Sequence, residues 1–88
     1  MKSFDGFIEY ANERGGNLSA DSKKLLKDAF DYIAQQGIDP FNQNSFDLKK
    51  IKDLVDLQKP KNRFIKESLR RPLFAFGLMT PIYVEYMA

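Results

Sequence analysis

The strongest constraint in the sequence is one amphipathic stretch, residues 21–36, whose apolar side chains recur at the spacing of an α-helix. They fall on one face of such a helix: Leu25, Leu26, Ala29, Phe30, Ile33 and Ala34. On the opposite face, unlike charges stand four residues apart and can pair: Lys24 with Asp28, and Lys27 with Asp31. Ser19 suits the N-cap and Gly37 suits the end. The stretch therefore predicts a helix whose apolar face is turned to the core.

Helical spacing continues along most of the chain, which predicts an all-α fold of four to five short helices in a single domain, residues 1–88. A first helix is predicted over residues 4–14, because Ser3 can cap its start and the pair Gly15-Gly16 can end it.

Two further helices are predicted in the middle of the chain. One covers residues 46–57, with Asn44 or Ser45 as its N-cap. The other covers residues 63–71 and is capped by Asn62, since the preceding Lys-Pro-Lys sequence breaks the helical pattern.

The last stretch, residues 73–87, is apolar over most of its length and carries a single charge, Glu85. Pro72 is predicted to end the preceding helix and to open a short one. Thr80 would then cap a terminal helix over residues 81–87. A strand over residues 81–86 is the alternative, because Ile, Tyr and Val favour strands.

The predicted core must hold by packing alone, because the chain contains no Cys for a disulfide and no His for a finger-type zinc site. Eight Phe and four Tyr supply large apolar area for that purpose. The loop residues Ile38 and Phe41 are expected to re-enter this core. Its central side chains are predicted to be Leu25, Leu26, Phe30, Ile33, Ile51, Leu54, Phe64 and Ile65.

The side chains that carry most enzyme chemistry are scarce. Without His or Cys, the commonest general base and the thiol nucleophile are missing. Gly15-Gly16 is not followed by the Lys-Ser or Lys-Thr of a phosphate-binding loop. Asp5, Glu9 and Glu13 lie on one helix face, where a solvated polar surface is the simpler interpretation. The sequence predicts a protein that is not an enzyme, with no catalytic residues, no cofactor and no metal.

Positive charge is concentrated in the second half of the chain. Residues 46–88 carry nine basic and five acidic side chains, a balance of +4, against −2 for residues 1–45. Six cations fall within residues 59–71, with Glu67 as the one acid. Two helices joined by a short turn here would have the outline of a helix-turn-helix, with Asn62 placed to read adenine. Nucleic-acid binding is one hypothesis for this segment; a solvated basic surface is the other.

The leading hypothesis is a small regulatory or adaptor protein that binds another protein through its basic and aromatic C-terminal third. Aromatic, Met and Arg side chains are enriched at the centres of protein interfaces. The candidate binding residues are Lys59, Lys61, Arg63, Lys66, Arg70, Arg71, Phe74, Phe76, Tyr83 and Tyr86. A structural homo-oligomer is a third hypothesis. With no run long enough for a membrane span and no signal peptide, a cytoplasmic location is expected.

A short part of the sequence resembles the anti-sigma factors of T-even phages. The resemblance is carried by residues 41–46, Phe-Asn-Gln-Asn-Ser-Phe, followed by Lys50-Ile51 and preceded by a helix ending at Gly37-Ile38. It covers about a third of the chain, and no functional residue is carried across. It implies a small all-helical regulatory protein of phage type that acts by binding another protein.

Overall fold

The computed structural model describes residues 1–88 and contains α-helices, 3-10 turns and loops, with no strand. The prediction of an all-α fold is confirmed, and the alternative of a C-terminal strand is wrong. The four helices are α1 (Phe4–Glu13), α2 (Ala20–Gln35), α3 (Leu48–Val55) and α4 (Arg70–Met87). Single 3-10 turns occupy Gln43–Ser45, Pro60–Asn62 and Glu67–Leu69.

The first two helices begin and end where local sequence signals place them. Ser3 and Ser19 are the N-caps, and their hydroxyls accept hydrogen bonds from the backbone N–H groups of Gly6 and Ser22 at 3.0 and 3.1 Å. Gly15 and Gly37 follow the helix ends in the left-handed region, with φ of 84° and 88°. A residue without Cβ adopts that conformation at no steric cost.

Helix α3 is shorter than predicted, because its cap is Asp47 rather than Asn44 or Ser45. The Asp47 carboxylate accepts a hydrogen bond from the backbone N–H of Lys50 at 3.1 Å. Asn42 caps the separate 3-10 turn before it, accepting from the N–H of Asn44 at 2.9 Å. The 3-10 turn and α3 therefore have separate capping side chains, and α3 begins at Leu48 rather than at residue 46.

The predicted fourth helix over residues 63–71 does not form. Residues 56–69, hereafter the connector, instead pass through two 3-10 turns before α4 begins. Asn62, the predicted cap, is buried, and its amide donates to the carbonyls of Asp53 and Asp56 at 3.0 and 2.7 Å. It satisfies carbonyls at the end of α3, which otherwise have no partner within the helix.

Helix α4 is continuous over eighteen residues, so the predicted helix breaks at Pro72 and at Thr80-Pro81 are wrong. Pro72 lies in the first turn, where an N–H has no helical partner to lose. Pro81 lies in the interior and removes the donor that would face the carbonyl of Gly77. The buried side chains of Phe76 and Tyr83, on either side of Pro81, hold the two halves of α4 against the same core.

The core is built around α4, which packs against each of the other three helices and most extensively against α2. Its centre is a cluster of rings: Phe30 lies 5.5 Å from Phe7, 5.3 Å from Phe76 and 5.3 Å from Tyr83 between ring centroids. Ring pairs at these spacings, edge-to-face or tilted, stabilise beyond the area they bury. The partly buried Ile38 and Phe41 pack against this core, as predicted.

The predicted core residues differ in their burial. Buried in the structure are Leu26, Phe30, Ile33 and Ile51, whereas those half-buried are Leu25, Leu54 and Ile65. Phe64 was predicted inside, but 86% of its surface is exposed, because the helix that would have turned it inward is absent. Ala34 is also exposed, at the edge of the apolar face of α2.

Helix α1 is fixed to the end of α4 by polar contacts. The backbone N–H of Ser3 donates to the hydroxyl of Tyr86 at 3.1 Å, and the Tyr10 hydroxyl donates to Glu85 at 3.2 Å. Arg14 completes this edge with an ion pair to Glu85 at 3.4 Å. Residues near the two ends of the chain therefore lie side by side.

Candidate partner-binding surfaces

Three of the ten residues predicted to contact a partner lie inside the core. Phe76 and Tyr83 have no exposed surface, and Tyr86 is 8% exposed. The hydroxyl of Tyr83 donates to the backbone carbonyl of Pro40, and burial, reinforced by the charge of Asp39, raises the pKa of Tyr83 far above its usual value. These three aromatic side chains are structural, and the folded chain cannot present them to a partner.

Two of the predicted cations are paired within the chain. Lys59 and Lys61 both contact the carboxylate of Asp53 on α3, Lys59 at 3.1 Å. Hydrogen bonds from Lys61 and Lys59 lower the pKa of Asp53 below its ordinary value. The pairs are exposed, so they contribute little to stability. They do fix the start of the connector against α3, and they offset part of its positive charge.

The centre of the connector is exposed and carries positive charge without a partner. Arg63 and Lys66 are exposed, and neither has a carboxylate within ion-pair distance. Between them Phe64 projects into solvent, with the Arg63 guanidinium 5.6 Å from its ring centroid. Sequence reasoning selected the two cations but assigned Phe64 to the core, because its spacing to Ile65 and Leu69 matches a helix face.

A groove of about 520 Å³ opens beside Phe64, between the connector and the end of α2. Apolar side chains form part of it, and the amides of Gln35 and Gln36 supply hydrogen-bonding groups along its edge. Hereafter the connector surface means Arg63, Phe64 and Lys66 together with this groove. A groove with both apolar and polar side chains beside an exposed ring offers an extended peptide a place for a side chain and hydrogen bonds for its backbone.

A second exposed apolar area lies on α4, at the edge of a groove of about 500 Å³ that this helix forms with the end of α3 and the start of the connector. Phe74 and Leu78 are 63% and 68% exposed. Hereafter the α4 outer stripe means five exposed residues of this helix: Arg71, Phe74, Leu78, Pro81 and Glu85. Arg71 has no carboxylate partner, whereas its neighbour Arg70 is half-buried and lies 3.8 Å from Glu67.

The structure lacks the arrangement on which the nucleic-acid hypothesis was built. A helix-turn-helix needs a recognition helix after the turn, and residues 63–69 do not form one. Asn62, which was expected to contact adenine, instead donates hydrogen bonds from its side-chain amide to two backbone carbonyls. The predicted helix-turn-helix is therefore wrong.

Acidic side chains are dispersed over the surface, and no group of three or more potential metal ligands converges.

No known protein family, curated protein or solved structure gives a match to this chain. None of the helices is both long enough and apolar enough to cross a lipid bilayer.

Proposed function

We propose that this chain is a small non-enzymatic adaptor that binds an acidic segment of a partner protein through the connector surface. The observation that carries the proposal is the exposure of Phe64 between two unpaired cations. A phenyl ring in water forgoes about 1.5–3 kcal/mol that burial would supply. Nothing in the fold requires the ring to stay outside, so a partner that covers it gains that stabilisation.

The charge around the ring favours an acidic partner. Arg63 and Lys66 flank Phe64 and are free of internal carboxylates, so an incoming Asp or Glu side chain meets no competitor. Complementary charge of this kind speeds encounter and fixes orientation, while a central aromatic anchor supplies affinity. The same division of roles is expected here, with Phe64 as the anchor and the two cations as the rim.

The groove beside the ring favours a peptide-like ligand. It borders the end of α2, where Gln35 and Gln36 offer donors and acceptors. Side-chain amides can satisfy the backbone of an extended segment, which would otherwise lose its hydrogen bonds to water. A short acidic segment with one apolar side chain for the groove matches these features.

Comparative capture from a lysate of the source organism, followed by titration of the purified partner, tests the proposal. Phe64→Ala and the double variant Arg63→Glu/Lys66→Glu should each weaken binding at least tenfold, about 1.4 kcal/mol. Lys23→Glu/Lys49→Glu is the matched control, because it makes the same charge change at exposed sites outside both candidate surfaces. Equal binding by all variants would contradict the proposal, as would capture of nucleic acid alone with a steep dependence on salt.

A further inference from the structure

The α4 outer stripe has the pattern of a helix that packs against another helix. Its members are separated by three, four, three and four residues, which is the spacing of a coiled-coil seam. A helix that is apolar on all sides is ordinarily buried on all sides. In α4 the inner face is buried, yet Phe74 and Leu78 on the outer face are 63% and 68% exposed, beside an open groove of about 500 Å³ that α4 forms with Val55 and Leu57.

The charges at the ends of the α4 outer stripe are opposite. Arg71 opens it and Glu85 closes it, about 21 Å further along the helix axis at 1.5 Å per residue. Two such helices in parallel would place Arg71 beside Arg71. In antiparallel orientation each Arg71 meets a Glu85, and the apolar residues meet in the middle. The stripe is therefore complementary to itself in one orientation only.

Glu85 retains the capacity to bind a second cation. Its contacts with Tyr10 and Arg14 both involve Oε1, at 3.2 and 3.4 Å. Oε2 has no partner within the chain, and an ionised carboxylate accepts up to about four hydrogen bonds. An Arg71 from another molecule can pair there without displacing Arg14.

Gly77 adds an independent indication. It lies in the interior of α4, where glycine weakens a helix, and apart from its chain neighbours and the adjacent backbone of α4 itself no atom lies within 4 Å of the position its Cβ would take. The fold itself does not need a glycine there. A second helix that crosses beside Leu78 would need a glycine at position 77, because the missing side chain lets the two backbones approach closely.

We propose that the α4 outer stripe is the interface of a homodimer in which the α4 helices of two copies pack antiparallel across a two-fold axis. The two Leu78 side chains meet at the axis, Phe74 packs beside Pro81 of the second copy, and Arg71 pairs with Glu85 of the second copy. Such an isologous interface uses the same patch twice. Contact through mainly one helix per copy is at the small end of stable interfaces, so we expect a dissociation constant on the order of micromolar.

Sedimentation velocity over a series of protein concentrations tests this arrangement. The unchanged chain should shift from monomer to dimer as concentration rises. Arg71→Glu alone and Glu85→Arg alone should each weaken association about tenfold or more, because each places like charges opposite one another at both ends of the interface. Lys23→Glu and Glu9→Arg make the same charge changes at exposed sites outside the interface and should leave association unchanged.

Mixing the two single variants gives the decisive measurement. An Arg71→Glu chain beside a Glu85→Arg chain pairs unlike charges at both ends, so the mixture should associate at least tenfold more tightly than either variant alone. The double variant Arg71→Glu/Glu85→Arg should likewise dimerise with itself. A monomeric unchanged chain, single variants that dimerise normally, or a mixture that stays monomeric would each overturn the proposal. Circular dichroism confirms that every variant is folded.

Discussion

The hydroxyl of Tyr83 on α4 lies 2.5 Å from the backbone carbonyl oxygen of Pro40, to which it donates a hydrogen bond. Pro40 belongs to the loop that leaves α2, so the bond joins positions far apart in the sequence. Both residues are buried, and water cannot replace either partner. This contact fixes the α2–α3 loop against the ring cluster around Phe30.

Replacing Tyr83 with Phe removes the hydroxyl and leaves the buried carbonyl of Pro40 without a donor. We expect a loss of about 1–3 kcal/mol in the free energy of unfolding, because the carbonyl keeps its desolvation cost. Urea denaturation measures the change. Tyr32→Phe is the matched control, since Tyr32 is only half-buried, and its effect should stay within about 0.5 kcal/mol. Equal effects at the two positions would contradict this role for Tyr83.

Stability should also fall at alkaline pH. Burial raises the pKa of Tyr83 in the folded chain, so the folded state holds this proton more tightly than the unfolded state. The contribution is complete below the unfolded tyrosine pKa of about 10 and decreases as the pH rises above that value. Denaturation curves between pH 8 and about 11 should show a shallower decline for Tyr83→Phe than for the unchanged chain, whereas Tyr32→Phe should keep the full decline.

Asn62 is expected to act through stability and not through ligand contact. Asn62→Asp keeps the shape of the side chain but replaces the donating amide with a carboxylate that faces the carbonyls of Asp53 and Asp56. We expect a loss of about 1–3 kcal/mol, because the part-buried carbonyl of Asp53 loses its donor and that of Asp56 keeps only the N–H of Lys59. Asn44→Asp makes the same chemical change at an exposed position and should alter thermal unfolding little. A neutral Asn62→Asp would contradict the capping role.

Two glycines inside helices should respond to alanine in opposite ways. Gly77→Ala has open space around its Cβ and should stabilise α4 by about 0.5–1 kcal/mol through reduced backbone entropy in the unfolded chain. Gly6→Ala should destabilise, since its Cβ would overlap the hydroxyl of Tyr86 and disturb the bond to Ser3. Thermal unfolding at low protein concentration measures both without a contribution from association.

Local signals are sufficient to predict α1 and α2. In both helices a serine precedes the apolar pattern and a glycine follows it, so the capping chemistry and the hydrophobic spacing agree. The bounds of α3 could not be read in the same way, because Asn42, Asn44, Ser45 and Asp47 are all competent caps. Only the tertiary position of the loop selects Asn42 for the 3-10 turn and Asp47 for the helix.

The errors near the C-terminal end have a common physical cause. Proline in a helix interior costs about 3 kcal/mol, which justifies predicting a break at Pro81. Burial of Phe76 and Tyr83 against α2 offsets that cost, and the sequence does not show which face of α4 will be covered. Likewise, the cations Arg63 and Lys66 could be selected from charge alone. The exposure of Phe64 could not, because it depends on Asn62 turning back to α3.

The hydrogen bond between Ser3 and Tyr86 brings positions 83 residues apart into contact. Because Ser3 and Tyr86 are in contact, a short linker could join residues 88 and 1, and the domain is suited to circular permutation. A short linker from residue 88 to residue 1, with the chain opened at the exposed pair Gly15-Gly16, would leave all four helices uncut. Because α4 packs against each of the other three helices, these contacts define the fold more than the order of the helices along the chain does.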